Sequence, residues 1–325
     1  MLSKVCSAVD ILRNDGFKSF LKELKQYLFH SRDILREIDG PAVDIYDCFI
    51  FYNELELLEL RLNELDDIVD YFVIIEATET FQGQTKPLYF EQKKEEFSEF
   101  EDKIIHHIVD FPDELTDPWE REHYHRDSIQ SALKQDTNIK HQDKIIISDA
   151  DEIPNPESIR KAATMNGVCI FSLRRYNYYY NMERCGEYRE GAPIMSDYIH
   201  FTSGQDFRNQ ILGGYNSSTS QKLLELKLTI KNRGRTHLIS EGGWHFSWIG
   251  DEGFIINKIE SFAHSEFNKE KYKNEEMIRK VMEEGGDLFG LNRENEIVEL
   301  NEDFPDYLMN NKNAFSDNII KENNV

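Results

Sequence analysis

Cysteine is scarce and scattered. Four occur in 325 residues, Cys6, Cys48, Cys169 and Cys185, and no two stand in a Cys-x-x-Cys spacing. That argues against a disulfide framework or a thiolate zinc site and leads us to expect reduced thiols in a cytoplasmic setting. Long apolar stretches are missing as well. The longest, such as Tyr71 to Ile75, are strand-sized, far short of the roughly 20 residues a spanning helix requires. The first residues contain no apolar run beside a small-residue cleavage site, so no secretory signal is expected. Positive charge is in the minority, 38 Lys and Arg against 61 Asp and Glu, for a formal charge of -23. Sequence-independent nucleic-acid binding draws on cations that neutralise phosphates, so no nucleic-acid partner is expected. What is present is 39% apolar and 12% aromatic residues, a composition that builds a core.

Near-neutral residues 1–40 precede the acidic remainder. Phe17, Phe20, Leu21, Leu24 and Leu28 fall at i, i+3, i+4, i+7 and i+11, one apolar stripe of a helix, with Lys18, Lys22 and Lys25 beside it. Such a helix packs on the main domain or on a partner; the sharper reading is peripheral contact with an anionic membrane surface. Gly40-Pro41 marks a boundary. Beyond it, Ile45–Tyr52, Tyr71–Ala77, Ile104–Val109 and Lys144–Ser148 read as strands. Helical spacing runs from Leu55 to Ile68, with Glu and Arg on the far face, and from Trp119 towards Leu133. The alternation predicts an α/β fold with a mostly parallel central sheet flanked by helices. Val168–Leu173 and Gly242–Ile249 read as later strands, the second followed by a helix through Lys258. Residues 301–325, rich in Asn and acids, read as a fraying tail, which leaves 41–300 as the main domain.

One segment carries chemistry most clearly: Ile145-Ile146-Ile147-Ser148-Asp149-Ala150-Asp151-Glu152-Ile153-Pro154. Open parallel sheets bind ligands beyond the carboxyl ends of their strands. In extended backbone, residues i and i+2 face the same way, so Asp149 and Asp151 can meet one ion or one ligand. Mg²⁺ or Mn²⁺ is typically shared between one or two carboxylates and substrate phosphates. A cation would also bridge a diphosphate to so acidic a protein. The plain alternative is helix N-cap material, which the three isoleucines of the preceding strand make the weaker reading.

Six ordered stretches give the chain a family likeness: YDCFIFYNELELLELRL (from Tyr46), VDYFVIIEATETFQGQTKPL (from Val69), WEREHYHRDSI (from Trp119), DADEIP (from Asp149), GGWHFSWIG (from Gly242) and KIESFAHSEFN (from Lys258). Together they resemble glycosyltransferase family 17. The resemblance implies a GT-A-type nucleotide-sugar-binding fold with an N-terminal helical extension. It also implies inverting transfer of a sugar, N-acetylglucosamine from UDP-GlcNAc foremost, with Mn²⁺ (or Mg²⁺) as cofactor. The acceptor would be a glycan or lipid-linked saccharide. The stretch from Cys185 to Arg235, where an acceptor is expected to bind, carries no such likeness.

Roles follow. Asp151 is the leading metal ligand, Asp149 meets the ion or the donor ribose, and His245 is the third ligand unless it is a core residue, with His264 in reserve. Donor contacts are expected from Glu76 at the end of the second core strand, from Thr80 and Lys86 in the following loop, from Arg126 on the diphosphate, and from Trp244 by stacking. Inversion needs a general base on the acceptor side. Glu241, Asp251 and Glu252 flank the aromatic strand, and Glu252, which opens a helix, is the first candidate. Two other classes share the features: a haloacid-dehalogenase-type phosphatase with the first aspartate as nucleophile, and a carbohydrate-binding protein without turnover.

Overall fold

The computed structural model describes residues 43–135, 139–185, 193–198, 236–291 and 294–321. The amphipathic helix expected at Phe17–Leu28, with its membrane contact, lies outside them, as does most of Cys185–Arg235.

Four apolar runs make the parallel half of the sheet. β1 (Ile45–Phe51), β2 (Tyr71–Ala77), β3 (Ile104–Val109) and β4 (Lys144–Asp149) lie in the order β3-β2-β1-β4, each parallel to its neighbour. Between them run α1 (Leu55–Leu65), α2 (Tyr89–Lys93) and α3 (Pro118–Gln135). Side chains alternate across the sheet and build a core on each face. Phe49, Phe51, Phe72 and Ile146 pack with the leucines of α1. Tyr46, Cys48, Val73 and Ile147 pack with Ile129, Ala132 and Leu133 of α3. Strands covered on both faces read as unbroken apolar runs, which is why these were visible in the sequence.

The other half is mixed. It comprises β5 (Glu152–Pro154), β6 (Val168–Asn177), β7 (Met182–Arg184), β8 (Ile194–Asp197), β9 (Thr236–Ser247) and β10 (Asn295–Ile297). β8 is antiparallel to both β4 and β6, and β9 lies parallel to β6 and antiparallel to β5. Helices α4 (Pro156–Ala163), α5 (Glu252–Ser261), α6 (Glu275–Glu284) and α7 (Asp306–Asn310) complete an α/β architecture with a mixed sheet and a parallel central part. No helix among the described residues is long and apolar enough to cross a membrane.

Two expectations are corrected. The described part of the segment read as a fraying tail packs down: Phe304, Leu308 and Phe315 join the core, and Tyr307 donates from its hydroxyl to Glu59 and from its amide to Glu64. Asn301–Asn318 therefore covers the face of α1 expected to meet solvent. The arginine of that helix is not on a solvent face either, since Arg61 is fully buried.

Candidate active site

The carboxyl ends of β1, β2 and β4 open onto one cavity of about 180 Å³. Tyr52 and Glu54 reach it after β1, Glu79, Thr80, Phe81 and Lys86 after β2, and Asp149 at the end of β4 with Asp151 just beyond it. His125 and Arg126 of α3 and Lys258 of α5 complete the polar wall.

The wall is assembled by a short ladder. β4 ends at Asp149, the chain turns, and β5 runs back against β9 with Glu152 opposite His245, Ile153 opposite Trp244 and Pro154 opposite Gly243. That register, closed by Phe246 N donating to Asp151 O at 2.9 Å, unites the Asp-x-Asp segment with the distant aromatic strand. His245 Nε2 stands 3.6 Å from Asp151 Oδ1. The other oxygen of Asp151 accepts from Lys258 Nζ at 3.0 Å, and the same ammonium lies 3.6 Å from Glu54 Oε1. Asp149 Oδ1 accepts from Arg126 Nη2 at 2.8 Å, while Arg126 Nη1 donates to Glu122 at 2.9 Å.

Burial alone would push the Asp151 carboxyl up, but Lys258 and His245 outweigh it and hold the group well below the usual carboxylate range. Burial likewise pulls on Lys258, and Asp151 and Glu54 more than restore its charge. His245 moves the other way: burial outweighs the pull of Asp151 and lowers its pKa, which favours the neutral imidazole that ligates metals. The wall is thus a set of fixed, balanced charges.

Among the described residues, no three His, Cys, Asp or Glu side chains converge as a ready-made metal cluster. Asp149 turns to Arg126 and so does not close a set with Asp151 and His245. Those two nevertheless present an oxygen and a nitrogen donor across 3.6 Å. Divalent cations that work on phosphates take few protein ligands and complete their shell from substrate and water, so the pair fits Mn²⁺ or Mg²⁺ in that role.

With this geometry in place, comparison with known proteins is decisive on one point. The model of glycosyltransferase family 17 matches residues 30–210, more than half of the chain. The chain belongs to glycosyltransferase family 17. Similar proteins include the β-1,4-mannosyl-glycoprotein 4-β-N-acetylglucosaminyltransferases of Rattus norvegicus and Homo sapiens, each 25% identical over 286 residues, 81% of this chain and 52% of theirs. The chain thus spans about half the length of these relatives. Among solved structures, the inositol-1-phosphate CTP transferase from T. maritima aligns with a TM-score of 0.32 and 9% identity, covering 71% of this chain and 98% of that one. Family membership displaces the phosphatase.

Five of the expected site residues of this family 17 chain come together at the cavity, and His245 stands beside Asp151, off the cavity wall. Thr80, Lys86, Arg126, Asp149 and Asp151 all line the cavity. Lys86 lies over the rings of Tyr52 and Tyr89 at 5.3 and 5.6 Å, and burial pushes its ammonium down to about 8 against the pull of Glu76 and Glu54.

Others do not. Glu76 is fully buried and accepts from the amides of Phe90 and Glu91, with His106 Nε2 at 3.1 Å. It anchors the start of α2 and is absent from the cavity wall. Trp244 is in the core, its indole N–H donating to Asp303 O at 2.8 Å, so it offers no stacking face. His264 pairs with Glu266 at 2.7 Å. All three base candidates lie off the cavity. Glu241 is exposed, Asp251 caps α5 through Phe254 N, and Glu252 pairs with Arg279 at 2.5 Å. Hydrogen bonds from its own backbone and from Arg279 hold the Glu252 carboxyl below its ordinary range, which weakens it as a base.

Sequence reasoning missed Lys258, Glu54 and His125. All three stand in stretches that carried the family likeness, but only the fold brings Lys258 to Asp151 and Glu54 to Lys258. His125 donates from Nε2 to Ile75 O at 3.0 Å, and burial pushes it down to about 3, so it is neutral. Glu79 was missed too, although it lies only three residues beyond Glu76.

Proposed function

We propose that this chain is a metal-dependent inverting glycosyltransferase of GT-A type that moves N-acetylglucosamine from UDP-GlcNAc to a hydroxyl of a glycan or lipid-linked saccharide. The observation that carries this reading is the Asp149-Ala150-Asp151 turn, which sets two carboxylates and their Arg126 and Lys258 counter-ions on one cavity at the strand ends. The transferred sugar follows the N-acetylglucosaminyltransferase relatives, and the UDP carrier follows the family resemblance.

In this reading Asp151 on the cavity wall and His245 beside it would hold the cation, which would supply positive charge to the departing diphosphate. Arg126 and Lys258 bring fixed positive charge to the same end of the cavity. Tyr52, Thr80, Phe81 and Lys86 surround the nucleoside. The acceptor oxygen forms a bond to the anomeric carbon as the bond to the diphosphate breaks with its electron pair, and the acceptor proton passes to a carboxylate. On the cavity wall, Glu54, Glu122, Asp149 and Asp151 each face a cation. Glu79 faces none among the described residues. A neighbouring cation suppresses the basicity of a carboxylate, so we assign the proton to Glu79.

Turnover of Glu79→Gln is expected to fall by about 10²–10⁴ with donor affinity intact, the range a positioned base supplies. Loss of donor affinity instead would put Glu79 on the ribose. Glu252→Gln should keep turnover within about twofold, since it removes only a surface ion pair.

The overall reading is tested by incubating the full chain with UDP-GlcNAc, saccharide acceptors and Mn²⁺. UDP release should require both acceptor and cation, and the product should carry the opposite anomeric configuration to the donor. A donor at 100 times its Kd should also stabilise the fold by about 2.7 kcal/mol. If no nucleotide sugar shifts the melting temperature and none is consumed, the proposal is wrong.

A further inference from the structure

Arg61 sits on α1, away from the cavity, and is 0% exposed. Its Nε and Nη2 fork Asp47 at 2.7 and 2.6 Å, and Nη2 also donates to Ser148 Oγ at 2.6 Å. The remaining nitrogen, Nη1, points at the carbonyls of Asp149, Ala150 and Glu152, at 3.1, 3.3 and 2.8 Å. One guanidinium therefore holds the carbonyl oxygens around the turn that carries both aspartates. The ring of Phe49, 4.5 Å from its centre, supports it from the side.

Three carbonyls converging in the interior cannot satisfy one another, since all are acceptors. Only a planar group with several fixed N–H bonds can serve them and Asp47 together; an ammonium has three donors at one point and cannot span that width. Stability is a poor reason to bury such a group, because buried ion pairs can often be replaced by apolar residues of similar volume without loss. The feature that needs the cation is the shape of the turn.

We infer that Arg61 is the positioning residue of the Asp-x-Asp turn, fixing the directions of Asp149 and Asp151 from behind without touching substrate. The inference rests on the function proposed above only for its activity readout. If the turn loosens, misplacement of catalytic groups by about 1 Å costs on the order of 100-fold in rate.

Two variants test it against a control. Arg61→Lys can keep the pair with Asp47 but not the three carbonyls. The double change Asp47→Leu with Arg61→Met removes charge and fork together and leaves an apolar core, so it guards against simple misfolding. Leu62→Ala, a buried neighbour on the same helix, supplies a loss of stability without touching the turn. At a temperature where all are folded, both Arg61 variants should lose about 100-fold in kcat, with KM for the acceptor unchanged. Leu62→Ala should keep its kcat.

Amide exchange gives a readout free of activity. The Asp149 and Phe246 amides, bonded to Glu152 Oε2 and to Asp151 O, should exchange at least about tenfold faster in Arg61→Lys, while those of β2 and β3 keep their wild-type rates. Unchanged exchange at the turn, or a kcat loss matched by Leu62→Ala, overturns the inference. An inactive wild type with faster exchange in Arg61→Lys counts against the proposed reaction and not against the role of Arg61.

Discussion

Asp151→Asn should lower transfer by roughly 10³-fold or more while leaving the fold in place. The substitution keeps the shape of the side chain and removes only its charge. Two groups depend on that charge: Lys258, whose ammonium is 3.0 Å away, and, in the proposed mechanism, the cation that His245 would help to hold. Several kcal/mol of charge stabilisation at a departing diphosphate correspond to a rate loss of that size. Some stability should go with it, because the buried ammonium loses its 3.0 Å partner and keeps Glu54, at 3.6 Å, and the weaker pull of Asp149. The measurement is initial-rate transfer with Mn²⁺ at a temperature well below the variant's own melting point. Activity within tenfold of wild type would remove Asp151 from the mechanism.

The largest effect on stability is expected at Gly243. Its φ of +146° favours glycine, and a Cβ there would lie 2.2 Å from Ile153 O and 2.7 Å from Asn155 N. Those atoms are backbone and cannot rotate away. Gly243→Ala should therefore force β9 from β5, at a cost of roughly 2–6 kcal/mol from overpacking and strain together. Melting should fall on the order of 10 °C. Because His245 lies two residues along the same strand, the surviving folded protein should also transfer poorly. Gly290→Ala is the matched control. It has φ of +70° but nothing within 4 Å, so only the strain, about 1 kcal/mol, applies. Equal melting of the two variants would refute the close-approach argument.

The parallel half of the sheet was legible in the sequence because burial on both faces leaves continuous apolar runs. β2 and β3 have the bounds their apolar segments predict. β5, β7 and β10 were not legible, since three residues carry no periodicity and their partners lie far along the chain. The Asp-x-Asp turn could be read because strand ends bind ligands. Glu76 shows the limit of the same logic. An acid closing a buried strand looks like a ligand contact, yet the loop after it folds back and hands it the amides of Phe90 and Glu91. Arg61 was misjudged for a related reason. Leucines at 58, 60 and 62 surround it in the sequence, a hint that no face of α1 is free, but its true partners are carbonyls nearly ninety positions away.

The closing segment has a bearing on how the molecule assembles. Glu56 of α1 is bound by Asn318, 262 positions downstream, and Glu59 by Tyr307, 248 positions downstream. A helix made near the start of the βα succession thus waits for a strap of chain made much later before it is sealed. Vectorial synthesis cannot finish this core piece by piece. A ribosome-bound nascent chain halted before Phe304 would leave an apolar flank of α1 uncovered, in need of a chaperone until the remainder emerges.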